Sequence, residues 1–229
     1  MVDQDTASSC RLMRILTYVP LNPTQPRLHP LTAACIDNLS WSQSMPIVFG
    51  RNDTPNKRGK YADIVDKHNE ARRMVLDGDY DALFLVEADM VIPPDALQRL
   101  VAVDAPVAYG LYVMRYMPYQ WLAFTKLSGY EVQFVSAQPD LAAQWFGNVV
   151  ETQGAGMGCT LIRREVLEQL AFRLDPLGVV ADDWTFALDC IAYGVRQVHD
   201  CGLVCGHIDG GNVLWPDPDA KELVRREKL

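Results

Sequence analysis

The chain has 229 residues, of which 49% are hydrophobic and 22% charged, and carries a formal net charge of −8, values that fit one ordinary globular domain. The acidic excess sets the average surface against phosphate backbones and anionic lipid. No apolar run reaches the roughly 18–20 residues of a bilayer span, and MVDQDTASSC lacks the basic start and apolar core of a secretory leader, so a cytoplasmic location is expected.

Residues 1–10 are small and polar and are expected to be disordered. RLMRILTYVP reads as a first buried strand stopped by Pro20. LTAACIDNLSW suits a helix, and SMPIVFG a second short strand ahead of the polar loop RNDTPNKRGK. From Tyr61 to Leu76 the positions Ile64, Val65, His68, Ala71 and Val75 recur at helical spacing, and Gly78 closes that helix. YDALFLVEAD is the third strand, and PPDALQRLVAV a helix opened by proline. This alternation predicts a parallel sheet with right-handed crossovers and a ligand site at the carboxyl ends of its strands.

Beyond it PVAYGLYVM, WLAFTKL, EVQFVSA and NVVET are short β-like runs, which predict a mixed or antiparallel second half. RREVLEQLAF and ADDWTFALDCIAYG read as helices, the second closed by Gly194, before a last strand VRQVHDCGLVCGHI. No repeat, low-complexity tract or linker divides the chain. The domain is therefore placed over residues 11–215, with 216–229 as a solvated tail or a docking helix.

Several positions carry chemistry. The strand ALFLV runs into two carboxylates, Glu87 and Asp89, and a strand that only filled a core would not deliver charge to its tip. On an extended strand alternation puts both on one side, so both can approach one site. Asp182 and Asp183 open a helix, where capping accounts for one acid and hardly requires two. Asn69 and Arg72 stand three apart on one helix face, with Lys67 nearby. Three glycines in QGAGMG suit backbone approaching a ligand or tight turns equally well, without the frame of a dinucleotide or Walker loop. CGLVCGH suggests zinc, but extended backbone would hold Cys201 and Cys205 about 13 Å apart. The cysteines are read as reduced core thiols, and His29, His68 and His199 as structural or surface residues.

FLVEADMVIPPDAL, GAGMGCTLIRREVLE, DDWTFALDCIAYGVRQV and CGHI, in this order, resemble the GT-A glycosyltransferases, especially family 2-like bacterial and phage enzymes. The likeness covers roughly residues 11–207. It implies a Rossmann-like α/β fold in one domain, a mixed sheet flanked by helices. It also implies transfer of a sugar from a nucleotide-sugar donor (UDP- or GDP-sugar) to an acceptor hydroxyl with the help of Mn or Mg. Glu87-Ala88-Asp89 looks like the family's Asp-x-Asp signature, and His207 like the late histidine that completes the cation site. By the same resemblance Tyr18 and Pro20 line the base pocket, Lys67, Asn69, Arg72 and Glu87 reach the donor, and Gly156 floors the sugar site. Asp183 matches the general base of inverting members, Asp182 replaces the usual Glu before it, and Trp184 stacks on acceptor or sugar. The rival expectations are a nucleotidyltransferase on a related fold and a non-catalytic nucleotide- or sugar-binding module. The acceptor stays open among a polysaccharide precursor, a protein, a small metabolite and a hydroxymethylated DNA base. The acidic balance argues against DNA, with only NDTPNKRGK and RREKL to offset it.

Overall fold

Residues 12–21, 27–41, 47–50 and 61–229 are described in a computed structural model. The expected disorder of residues 1–10 and the basic loop NDTPNKRGK lie outside the described residues.

The uninterrupted apolar runs become the middle of a sheet. β1 (Ile15–Pro20) and β3 (Ala82–Val86) are buried along their whole length, as strands covered on both faces must be. β2 (Ile47–Gly50) pairs with β1 in parallel, and β1 with β3. The crossovers are α1 (Pro30–Asp37), α2 (Ala62–Asp77) and α3 (Ala96–Ala102), the last leading to β5 (Val107–Leu111). β9 (Cys159–Arg163) inserts between β3 and β5, antiparallel to both. β10 (Gln197–Val204) runs parallel to β5 and pairs antiparallel with β8 (Val149–Glu151) at the sheet's edge. The order is β2-β1-β3-β9-β5-β10-β8, a mixed sheet of seven strands flanked by helices. The expected Rossmann-like architecture is what forms.

One layer of the core lies between this sheet and α3, and another beneath α2, α5 (Arg164–Gln169) and α6 (Asp182–Ala192). Beside the sheet stand the hairpin β6 (Phe124–Ser128) to β7 (Glu131–Phe134), a 3-10 turn over 135–137, and α4 (Pro139–Trp145). The described cysteines are free, four of them buried and Cys35 half-buried, as core thiols are.

Three expectations need correction. The last strand is two: β10 ends at Val204, and β11 (Gly206–Asp209) belongs to a second sheet. Residues 216–229 are neither tail nor helix, because β12 (Asn212–Pro216) and β13 (Val224–Lys228) form a hairpin that extends β11 in the order β13-β12-β11-β4, where β4 is Met90–Val91. Its polar sequence misleads because only the first residue of β13 is covered: Val224 is buried while the four residues after it are exposed. Finally, RREKL is no free basic cluster, since Arg226 pairs with Glu222 and Arg225 with Glu227, and both guanidinium groups lie over aromatic rings.

Candidate metal centre

Glu87 and Asp89 do not share a face by strand alternation, as the sequence suggests. β3 stops at Val86, and a tight turn in which the Met90 amide donates to the Glu87 carbonyl at 3.2 Å swings both carboxylates to one place. That place is the carboxyl end of the central parallel strands. β4 then pairs with β11, setting Met90 opposite His207, while the Ile208 amide donates to the Asp89 carbonyl at 2.8 Å. Gly206 is needed on this pairing, because a Cβ there would lie 2.4 Å from a Val213 methyl. The second sheet is thus the device that carries His207 to the acids.

The ligand atoms of Glu87, Asp89 and His207 lie within 4.8 Å of one another. His207 Nε2 is 3.5 Å from Asp89 Oδ1 and 3.9 Å from Glu87 Oε2. Its other nitrogen, Nδ1, is 2.7 Å from the Val113 carbonyl, which can only accept, so Nδ1 carries a proton and the neutral form of the ring turns its Nε2 lone pair toward the acids. The ring is 5% exposed, and Nε2 is buried without a hydrogen-bond partner. A buried imidazole lone pair facing two carboxylates fits a divalent cation, an oxygen-rich site with one nitrogen such as Mn or Mg accepts.

Charge in the site is balanced unevenly. Burial pushes the Glu87 carboxyl above its ordinary range, with the Asp89 charge adding to it and His207 and Arg115 opposing. Burial works in the same direction on Asp89, but His207 and the ion pair with Arg115 outweigh it and hold Asp89 below its ordinary value. Asp89 is the readier anion of the two.

Beside the cluster stands the start of α6. Asp183 is half-buried; desolvation first, then the Asp182 charge, raise its carboxyl to about 7, although the Trp184 amide donates to it. The Glu87 charge contributes to the same rise, so Asp183 and the carboxylate cluster share one field. Between them Tyr112 is buried with its ring edge against His207 at 5.5 Å, and its hydroxyl accepts from the Gly158 amide at 2.9 Å.

Other expected site residues are placed differently. Asp182 is buried and paired with His68, so it positions α6 rather than touching a substrate. Tyr18 lies in the core with its hydroxyl donating to Glu70 at 3.1 Å, and Pro20 is buried in β1 opposite Gly50. Asn69 exchanges two hydrogen bonds with the Phe172 backbone, and Arg72 Nε donates to the Leu167 and Leu170 carbonyls at the end of α5. The Asn69 amide and the Arg72 Nε are thus spent on the fold, since a helix end leaves carbonyls that need donors. Lys67 is buried and donates to the Leu21 carbonyl just past β1. Gly156 is a glycine because a Cβ would meet the Tyr112 hydroxyl at 2.1 Å, a packing reason. Trp184 donates its indole N–H to the Gly129 carbonyl at 2.8 Å and lies tilted against the Phe124 ring, pinning the β6–β7 hairpin to α6.

Sequence reasoning missed Tyr112 and Arg115. His68 is structural, as its place on the apolar stripe of α2 suggested, but the sequence did not name its partner Asp182. Tyr112 and Arg115 carried no signal, because a loop residue's neighbours depend on the tertiary fold.

No family model matches the chain, and no curated protein does. Among solved structures, A197 from STIV is similar over 91% of this chain and 92% of its own, at 21% identity and a TM-score of 0.59. At that identity the likeness is one of fold: this chain shares with A197 from STIV a mixed α/β, Rossmann-like architecture.

Proposed function

We propose that the chain is a metal-dependent glycosyltransferase of the GT-A kind that moves a sugar from a nucleotide-sugar to an acceptor hydroxyl. The observation that carries the reading is the Glu87, Asp89 and His207 cluster at the carboxyl ends of the parallel strands, with Asp183 in its field. When bound, a divalent cation supplies charge neutralisation for a diphosphate leaving group. His207 and Asp89 hold it, with Glu87 as the third ligand. Asp183 takes the proton of the acceptor hydroxyl while that oxygen bonds to the anomeric carbon and the bond from this carbon to the diphosphate breaks. A carboxyl raised to about 7 suits the task, because a base works best with a pKa near the operating pH. Attack from the face opposite the leaving group inverts the anomeric centre.

The test is product analysis with a panel of UDP- and GDP-sugars in Mn, including donor hydrolysis in the absence of acceptor. Nucleoside diphosphate and an inverted product from wild type, lost with EDTA and in Asp183→Asn, is the expected result. Release of pyrophosphate from a nucleoside triphosphate would instead make the chain a nucleotidyltransferase.

A further inference from the structure

The loop after β5 braces the metal ligands twice. The Val113 carbonyl fixes the His207 tautomer, and two residues on, Arg115 Nη1 donates to Asp89 Oδ2. The loop is held at its base by the Val113–Trp121 bridge and by the Met114 amide donating to the Gln120 carbonyl at 2.8 Å. Trp121 below it is fully buried and bonded to the Leu223 carbonyl. Arg115 is therefore presented from a fastened base, while its side chain stays 34% exposed.

Asp89 divides its oxygens, Oδ1 toward His207 Nε2 and Oδ2 to Arg115. Arg115 thus shares a carboxylate with the cation position without occupying it. A guanidinium has five N–H donors, and among the described residues only Asp89 accepts from this one. The donors left over are those that bind phosphate oxygens bidentately elsewhere in proteins.

We infer that Arg115 couples cation binding to binding of a diphosphate: its guanidinium forms a second positive wall beside the metal position, so that each ligand strengthens the other. The diphosphate rests on the reading of the site given above. With no anion present, Arg115 and a cation are like charges on one carboxylate and weaken each other. With a diphosphate between them both attract it, and the repulsion is replaced by shared attraction. Such coupling is reciprocal.

The experiment measures Mn bound to the full chain by equilibrium dialysis, with and without inorganic pyrophosphate, after subtracting manganese pyrophosphate formed without protein. Wild type, Arg115→Gln, Arg115→Lys and Asp89→Ala are compared, each checked for folding by its melting curve. In wild type, pyrophosphate should tighten Mn by about tenfold, within the usual span of coupling between sites. Arg115→Gln should bind Mn alone more tightly and lose that enhancement, Arg115→Lys should keep part of it, and Asp89→Ala should bind no Mn in either condition. An enhancement absent from wild type, or one that Arg115→Gln lowers by less than about threefold, overturns the assignment. An equal weakening of Mn in both conditions overturns it too, and makes Arg115 only a brace for Asp89. Silence of the nucleotide-sugar panel with the coupling intact would remove the transferase reading and leave Arg115 standing; transfer with an unaltered coupling in Arg115→Gln would do the reverse.

Discussion

His68 Nδ1 lies 2.6 Å from Asp182 Oδ2, and both side chains are 4% exposed. The contact ties the middle of α2 to the first turn of α6, where Asp183 follows. Removing one partner of a buried pair leaves the other unpaired, typically at a cost of about 3–5 kcal/mol. His68→Ala should therefore lower the stability read by urea unfolding by an amount of that order, and the His68→Ala, Asp182→Ala double variant should lose less than the sum of the two. A loss below about 1 kcal/mol in His68→Ala would mean that the pair does not hold α6.

Asp183, raised to about 7 by burial and the Asp182 charge, binds its proton more tightly folded than unfolded. The sign follows: between the ordinary carboxylate range and about 7 the folded state holds more protons, so this group's contribution to stability falls as pH rises. Asp183→Asn removes that cost and should melt at or above the wild-type temperature at pH 8. The proposed base must be ionised to act, so donor turnover should decline as pH falls through about 7. Asp183→Asn should lose roughly 10²–10⁴ in rate at pH 8, where the wild-type carboxylate is ionised, and progressively less as pH falls below about 7. A melting temperature below that of wild type at pH 8 would contradict the burial argument.

Mn should stabilise the folded chain, since a ligand at about 100 times its Kd contributes roughly 2.7 kcal/mol. Calorimetry should show the melting temperature rising with Mn in wild type and unmoved in Asp89→Ala and His207→Ala. Substituting Val224 with Asp should also abolish the rise, because Val224 is buried where β13 supports β12 and, through it, β11. A rise that survives His207→Ala would place the cation elsewhere.

Asn69 and Arg72 should behave as structural residues. Each satisfies backbone groups at the end of α5 and the segment after it, so replacement by alanine should cost about 1–3 kcal/mol of stability. Mn affinity should stay within about twofold of wild type, a difference below one hydrogen bond's worth. A donor-specific rise in KM at unchanged stability would return both to the donor site.

Most of the fold was legible because its central strands are covered on both faces. β1, β3 and β5 are near-continuous apolar runs, and the helical spacing of α2 and α6 lies in plain view between Gly and Pro signals. The acids Glu87, Asp89 and Asp183 stood out for the same reason, as charges next to apolar runs. β12 and β13 were not legible: β13 buries only Val224, and the exposed charges of Arg225 to Lys228 read as a solvated tail.

What the sequence determined by itself was therefore local: which segments bury backbone, where they stop, and that two pairs of acids sit at their ends. Long-range pairing decided the rest. Asp89 and His207 are 118 positions apart and meet only because β4 pairs with β11, and His68 and Asp182 only because α2 packs beside the start of α6. Residue type gives Asn69 and Arg72 the same donors for a nucleotide as for a helix end, and only the packing of α5 and the segment after it against α2 shows which backbone groups they meet. Side-chain chemistry is written along the chain, whereas the partner that spends it is supplied by packing, whose energy belongs to the whole fold.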